Sequence, residues 1–239
     1  MTKPEAQKRV LKLREEINYQ RYLYHVLDRQ EISDAAHDSL KHELAKLEEQ
    51  FPNLITSDSP TQRVGGEPLP EFKKVQHQIP MLSLEDIFSF EELEAWLARV
   101  KKIWPRGHYD FYTEIKMDGL AVSLIYEDGL LVKGATRGDG RVGEEVTQNL
   151  KTIEAIPLRL RIPKEKELAK FLDEFGHGVD AKKFLRRASE LRGRIEARGE
   201  VFMNKKDFEK LNKEQKKKDI QVFANPRNVV AGSIRQLDP

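Results

Sequence analysis

Lys116 stands in the run Thr113-Glu114-Ile115-Lys116-Met117-Asp118-Gly119, with a carboxylate two residues to either side and a glycine just beyond. Most lysines are solvated surface charges. A lysine held in a structured site is different, because partial desolvation or neighbouring cations free its lone pair for nucleophilic attack. The residues before it, Tyr109 to Ile115, alternate as in a half-buried strand, so the pattern predicts an amine carried at a strand end. K-x-D-G alone is short enough to recur by chance, and its weight depends on what else the chain brings to it.

Several other stretches carry groups that such an amine would need. Ala135-Thr-Arg137-Gly-Asp-Gly140 sets an arginine before a glycine-rich turn. That is either an ordinary β turn or a guanidinium aimed at a phosphate or ribose, with glycines allowing close backbone approach. Arg198-Gly-Glu200 lies in a strand pattern where a glycine between charges is costly unless something packs closely there. Glu200 would then hold a ribose hydroxyl, or else form an edge-strand ion pair. Asn225-Pro-Arg-Asn228, Ala231-Gly-Ser233 and Arg235 suit close packing or anion contact, and Met81-Leu-Ser-Leu84 reads as a short strand able to offer backbone groups to a base. Near the N-terminus, Tyr24-His25 precede Asp34 and Asp38, which are four apart and share a helical face.

The elements that must position these groups are legible in outline. Val10, Leu13, Ile17, Tyr24 and Leu27 recur at helical spacing from about Pro4 to Leu27. Ser33 caps a second helix with Leu40, Leu44 and Leu47 on its apolar face. Residues 52–80, with Pro52, Pro60, Pro68, Pro70, Pro80 and Gly65-Gly66, read as an extended connector. Ser89-Phe-Glu-Glu92 is a capping box opening a helix to about Ile103. Strands at 109–115, 120–127 and 130–136 follow, the last two joined by Asp128-Gly129, a strong hairpin signal. A short helix is expected at 143–151, a strand from Ile195 to Met203, a helix capped by Asn204 to about Lys218, and a helix over Val229–Leu237. Residues 161–193 are a charge-dense helical excursion (Leu168, Phe171, Leu172, then Phe184, Leu185, Leu191) split by Gly176-His-Gly178.

Composition sets the outer bounds. Of 239 residues, 34% are charged and 38% hydrophobic, enough for a core at this length. The formal net charge is only +2, so nucleic-acid contact must come from local patches. Lys213–Lys218 is one such run, although a solvated helix face explains it as well. The absence of cysteine excludes disulfides, thiolate zinc sites and cysteine nucleophiles. With no apolar leader and no run of about 20 apolar residues, the expectation is a cytoplasmic chain with no membrane partner.

Taken together, YLYHVLDRQEISDAAHDSL, SPTQRVGG, PMLSLEDIF, TEIKMDGLAVSLIYEDG, ATRGDGRVGEEVTQN, RGEVF and VFANPRN…AGSIRQLDP occur in an order that resembles the N-terminal part of bacterial NAD-dependent DNA ligases. The resemblance implies an α+β fold. A small helical module and connector (1–70) would bind the nicotinamide mononucleotide (NMN) half of NAD. An adenylation (nucleotidyltransferase) domain of antiparallel sheets with flanking helices (71–239) would follow, C-terminally incomplete, with a helical insertion at about 161–193. It implies that Lys116 is adenylylated, that Glu114, Ser83 and Leu84 contact adenine, and that Arg137 and Glu200 contact the ribose and its surroundings. Asp118, with Gly119 beside it, would sit at the phosphate end. Tyr24, His25, Asp34, His37 and Asp38 match positions implicated in the nicotinamide nucleotide, whose cationic ring suits an aromatic face and carboxylates. The implied cofactors are NAD and Mg²⁺ (or Mn²⁺), and the implied partner is nicked double-stranded DNA, bound by a monomer.

The sequence departs from that family in three places. Its three Asp-Gly pairs (118–119, 128–129, 139–140) are all accounted for upstream, so a later D-G-V-V-I-K-like strand is expected to be absent, leaving an open β edge. His37 stands where the family usually has tyrosine, a smaller ring able to carry charge. The 161–193 excursion replaces what is normally a short connection. Two alternatives stay open: a non-catalytic NAD-binding fragment, and a lysine nucleotidyltransferase that uses ATP.

Overall fold

The computed structural model describes residues 1–27, 29–63, 71–176, 180–190 and 192–239. Two helices open the chain, α1 (Lys3–Leu27) and α2 (Asp34–Gln50). Ser33 caps α2, its hydroxyl accepting from the Ala36 N–H, as the sequence predicts. Val10, Leu13 and Ile17 of α1 pack on Leu44 and Leu47 of α2, with Leu40 and Leu54 at the margin. At the far end of α1 the helical pattern continues but burial does not, and Tyr24 and Leu27 are exposed. Behind this small core the Glu48 carboxylate is buried and fully engaged. It accepts from Arg14, from Ser59 Oγ at 2.7 Å and from Thr61, which ties α2 to the segment after it.

That segment is not the extended connector expected. Pro52–Leu54 and Pro60–Arg63 form short 3₁₀ turns. Proline suits the opening of such a turn, where its missing N–H would have no partner in any case. The expected Gly65-Gly66, Pro68 and Pro70 part lies outside the described residues, as do His177-Gly178 and Leu191 of the excursion.

The remaining elements are β1 (Lys74–Gln76), α3 (Phe90–Ile103), β2 (Leu120–Glu127), β3 (Leu130–Thr136), β4 (Val142–Glu144), α4 (Thr147–Lys151), α5 (Glu165–Phe175), α6 (Ala181–Glu190), β5 (Arg194–Val201), α7 (Lys205–Lys217) and α8 (Pro226–Ile234). All described strand pairs are antiparallel: β3-β2-β5 form one sheet and β1-β4 a two-stranded ribbon. Asp128 and Gly129 both take positive φ (48° and 78°), the geometry that makes Asp-Gly a hairpin turn. The second core lies between this sheet and α4 and α8, built from Val122, Tyr126, Leu131, Val146, Leu150, Ile156, Leu158, Val230 and Ile234.

Three local expectations fail, each for a visible reason. Residues 109–115 are irregular, because β3 and β5 occupy both edges of β2 and no described strand pairs with this segment. It runs out from α3 instead, through Trp104–Tyr109 and Trp96–Phe111 ring contacts, and Tyr112 is 90% exposed. Met81–Leu84 is likewise irregular, held at one end where the Met81 N–H donates to Gly140 O at 2.8 Å. Residues 142–144 form β4 rather than the start of a helix. A Cβ at Gly143 would lie 1.8 Å from Thr136 O, so the glycine lets the chain press flat against β3. Helical structure begins only at Thr147. In the excursion, α5 and α6 stack through Phe171 and Phe184, with ring centroids 5.8 Å apart.

Among the described residues no helix is long and apolar enough to cross a membrane.

Candidate active site and nucleotide pockets

Four separated segments converge on one cavity of about 960 Å³. Ser83 and Leu84 come from the irregular run after Pro80. Glu114, Lys116 and Asp118 come from the run before β2. Arg137 follows β3, and Glu200 lies near the end of β5. These are the seven residues that the family resemblance assigned to a nucleophile, a base, a ribose and a phosphate, and all line this cavity. Gly119 does not line it. A Cβ there would stand 2.1 Å from Val201 O, so its role is to let the start of β2 lie against β5.

Backbone chemistry explains how the segments are brought together. In the turn after β3, Gly138 and Gly140 take positive φ (59° and 93°), and Asp139 Oδ1 accepts from the Arg141 and Val142 N–H groups, both at 2.8 Å. Those two N–H groups hold the Asp139 carboxyl below its usual value. The Arg137 N–H donates to Ala121 O at 3.0 Å, which aligns the turn with β2. Arg198 holds the opposite wall: Nη1 donates to Pro80 O at 2.9 Å, Nη2 donates to Ile79 O, and Nε pairs with Glu196 at 2.9 Å. The Met81–Leu84 run is thus clamped between a glycine turn and an arginine. Gly199, expected to pack closely, does not. A Cβ there would meet no protein atom within 4 Å, and Gly199 lines the cavity, so the missing side chain leaves room beside Glu200.

Lys116 itself is exposed, and the expected strand end does not enclose it. The cationic surroundings expected of it are present. Lys74, Arg137, Arg227 and Arg235 line the same cavity. Arg227 lies 3.6 Å from Asp118. Arg235 pairs with Glu144 at 2.8 Å, and Lys74 reaches the same carboxylate at 3.1 Å. Partial burial pushes Glu144 up, but the hydrogen bonds from Arg235 and Lys74 outweigh it and hold the carboxyl below its usual value. Arg227 and Arg235 belong to a stretch read as suited to anion contact, without being assigned to the site. Lys74 and Glu144 carry no signal in the sequence, since an antiparallel β1-β4 pair brings them together.

A second, smaller cavity of about 210 Å³ lies at the end of the helical module. Tyr24, His25, Asp34 and His37 line it, as expected, together with Gln20, Arg21, Gln30, Ile32, Lys41 and Glu154. Asp38 does not line it: although four residues from Asp34, it lies off the face that meets the cavity. Tyr24 and His25 meet edge to face at 4.9 Å, and Gln30 Nε2 donates to Asp34 at 2.9 Å. Burial, chiefly, holds both His25 and His37 below the usual histidine value. Arg21 adds to this at His25 and Lys41 at His37, while Glu154 opposes it at both.

Glu154 follows α4, far from the helical module in sequence, yet its carboxylate lies 2.9 Å from Arg21 Nε and 3.1 Å from Lys41 Nζ. Arg63 completes the join. Its Nη1 donates to Lys151 O and Ile153 O, each at 2.9 Å, and its Nη2 to Ile156 O at 2.8 Å.

Comparison with known proteins assigns nearly the whole chain to two family profiles. Residues 3–65 match the profile of the DNA ligase-like, N-terminal NAD⁺-binding domain, and residues 69–172 and 182–239 match the NAD-dependent DNA ligase adenylation domain. The profile thus runs through both ends of the expected insertion and leaves only 173–181 unmatched. A DNA ligase of Thermomicrobium roseum is 50% identical over 236 residues, covering 99% of this chain and 31% of the relative. One of Coprothermobacter proteolyticus is 48% identical over 238 residues (100% of this chain, 32% of the relative), and one of Acetivibrio thermocellus 50% identical over 235 (98% and 31%). The chain therefore spans about a third of the length of the curated relatives it matches. With residues 3–65 matched to the one domain and 69–172 and 182–239 to the other, the chain belongs to the NAD-dependent DNA ligase family.

Proposed function

We propose that this chain carries out the adenylation half of an NAD-dependent DNA ligase reaction, with Lys116 as the nucleophile. The Lys116 amine, having given up its ammonium proton, attacks the α-phosphorus of NAD in line. A P–N bond forms and the bond to the bridging oxygen breaks. NMN leaves with that oxygen and its electron pair, and the amine sheds a second proton to solvent, giving lysyl-AMP. Negative charge grows on the phosphoryl and leaving oxygens, so fixed cations matter more than acid–base groups. Arg137, Arg227 and Arg235 on the cavity wall are suited to that charge.

The observation that carries the reading is the meeting of Ser83, Leu84, Glu114, Lys116, Arg137 and Glu200 around one nucleotide-sized cavity. On this reading Ser83, Leu84 and Glu114 take the adenine, Arg137 and Glu200 the ribose and its surroundings, and Asp118 the phosphate end. The smaller cavity takes the NMN half, with Tyr24, His25, Asp34 and His37 around the ring. Asp38 acts at most through the field it exerts on His37. We divide the chain at about residue 70, helical module before and adenylation domain after.

A divalent cation fits only as a companion of the substrate. Among the described residues no group of three or more histidine or acidic side chains is placed to hold one. Mg²⁺ commonly keeps its waters and rides on phosphates with one or two carboxylates; Asp118, assigned to the phosphate end, is a carboxylate on the wall of this cavity. In the complete enzyme AMP would pass to the 5′-phosphate of a DNA nick, with the protein acting as a monomer in the cytoplasm. Incubation with NAD radiolabelled in its adenylate tests the first step. Lys116→Ala should lose entirely the covalently bound AMP, whose P–N bond is stable to alkali and labile to acid, and equal labelling of both proteins would remove Lys116 from the nucleophile's place. Labelling from ATP in preference to NAD would favour the other nucleotidyltransferases.

A further inference from the structure

We propose that Glu154 is a charge-setting, positioning residue of the smaller cavity, supplied by the adenylation domain to a pocket otherwise built by the helical module, and that it tunes that pocket for a pyridinium nucleotide. The inference rests on the NMN reading of the cavity and adds a residue and a role to it. Among the described residues, Glu154 is the one lining residue that lies beyond the helical module. It contacts both cations of the lining, Arg21 at 2.9 Å and Lys41 at 3.1 Å. Arg21 is itself 92% buried, with its Nη2 3.4 Å from Ile156 O, so its position is fixed largely by this corner.

Charge balance gives the carboxylate its importance. With both histidines neutral, the lining carries two cations, Arg21 and Lys41, against two carboxylates, Asp34 and Glu154, among the described residues. Without Glu154 the described lining would carry two cations against the single carboxylate of Asp34, a balance less favourable to a cationic ring and more favourable to a phosphate. With it, Arg21 and Lys41 are held to one side and their field is offset, which leaves the Tyr24 and Asp34 side for the ring. Glu154 stays ionised: burial pushes it up, but the hydrogen bond from Lys41 and the charges of Arg21, Lys41 and Arg63 outweigh that. The His37 Nε2 is buried with no hydrogen-bond partner among the described residues, a polar atom left unsatisfied on a side chain that lines the cavity.

The test compares two probes with the same ribose phosphate and different ring charge: NMN, with a cationic ring, and its reduced dihydro form, with a neutral one. Both are titrated calorimetrically into the 239-residue chain. Glu154→Gln should cut the preference for NMN over the reduced form roughly tenfold, the size expected for one partly screened charge at close range, and Glu154→Asp should keep most of it. Lys41→Met should raise the preference, which guards against a Glu154 variant that fails to fold. A Glu154→Gln variant that weakens both probes equally, or neither, overturns the inference, as does a Lys41→Met variant that leaves the preference unchanged or lowers it. A parent chain that binds neither probe would refute the NMN reading of the cavity, and this inference with it.

Discussion

Arg63→Met is the sharpest test of how the helical module is joined to the sheet domain. Arg63 is 4% exposed and donates to three backbone carbonyls, those of Lys151, Ile153 and Ile156, at 2.8–2.9 Å. Its Nε is buried with no acceptor among the described residues and lies 3.9 Å from the Glu154 carboxylate. Burial, and then repulsion from Arg21, draw its pKa down to about 10, which still leaves it charged at neutral pH. Hydrogen bonds from a charged donor are worth about 1.5–3 kcal/mol each when taken singly. Here three share one guanidinium, and desolvation and the Arg21 repulsion oppose them. The net loss should be about 3 kcal/mol, the lower end of the cost of removing one partner from a buried charged network. Methionine keeps the aliphatic volume and removes the donors. For a chain of this size the loss corresponds to a fall in Tm of roughly 6–12 °C, measurable by scanning calorimetry. Arg63→Lys should recover less than half, since an ammonium has no planar fork to span three carbonyls. A methionine variant within about 2 °C of the parent, or a lysine variant equal to it, would refute the argument.

Two further outcomes are expected. Gly140→Ala forces a side chain onto a backbone at φ +93°, with its Cβ 2.8 Å from Met81 O. The strain, of order 1–3 kcal/mol, should displace the Met81–Leu84 wall and slow lysyl-AMP formation several-fold while the far-ultraviolet circular dichroism stays unchanged; parent-like labelling would count against that wall as part of the nucleotide site. Acidification should destabilise the helical module through His25 and His37, whose folded values lie below the unfolded value of about 6.5. At pH values between the two, the unfolded chain binds more protons, so stability present above about pH 6.5 is lost as pH falls through the folded values. Thermal unfolding between pH 7.5 and 5.0 should show a steeper loss in the parent than in a His25→Gln/His37→Gln variant; identical slopes would contradict it.

The fold was largely legible where one local rule dominates. Ser33, Ser89 and Asn204 each accept the backbone N–H expected of a helix cap, and Asp128-Gly129 makes the expected hairpin turn. The failures lie where a partner decides. Residues 109–115 alternate like a strand, but a strand needs an edge to pair with, and β2 is already flanked on both sides. Residues 143 and 144 look like a helix start until β1 pairs with them. The residues that line the larger cavity were legible because their motifs are compact in sequence. Arg198's hold on the Ile79 and Pro80 carbonyls was not, since it links residues 118 and 119 positions apart.

By itself the sequence determined the types of chemistry present: a lysine between carboxylates, an arginine before a glycine turn, a Tyr-His pair ahead of an Asp on a capped helix. These depend on residue identity and short-range spacing, which the chain states directly. Only the tertiary structure decided which of them share a cavity, that Asp38 and Gly119 stand outside the walls, and that Lys116 is exposed rather than enclosed. It alone brought Glu154 to Arg21 and Lys41. The reason is physical. Electrostatic balance in a pocket is a sum over groups close in space, and charges more than a hundred residues apart meet only once packing has placed both.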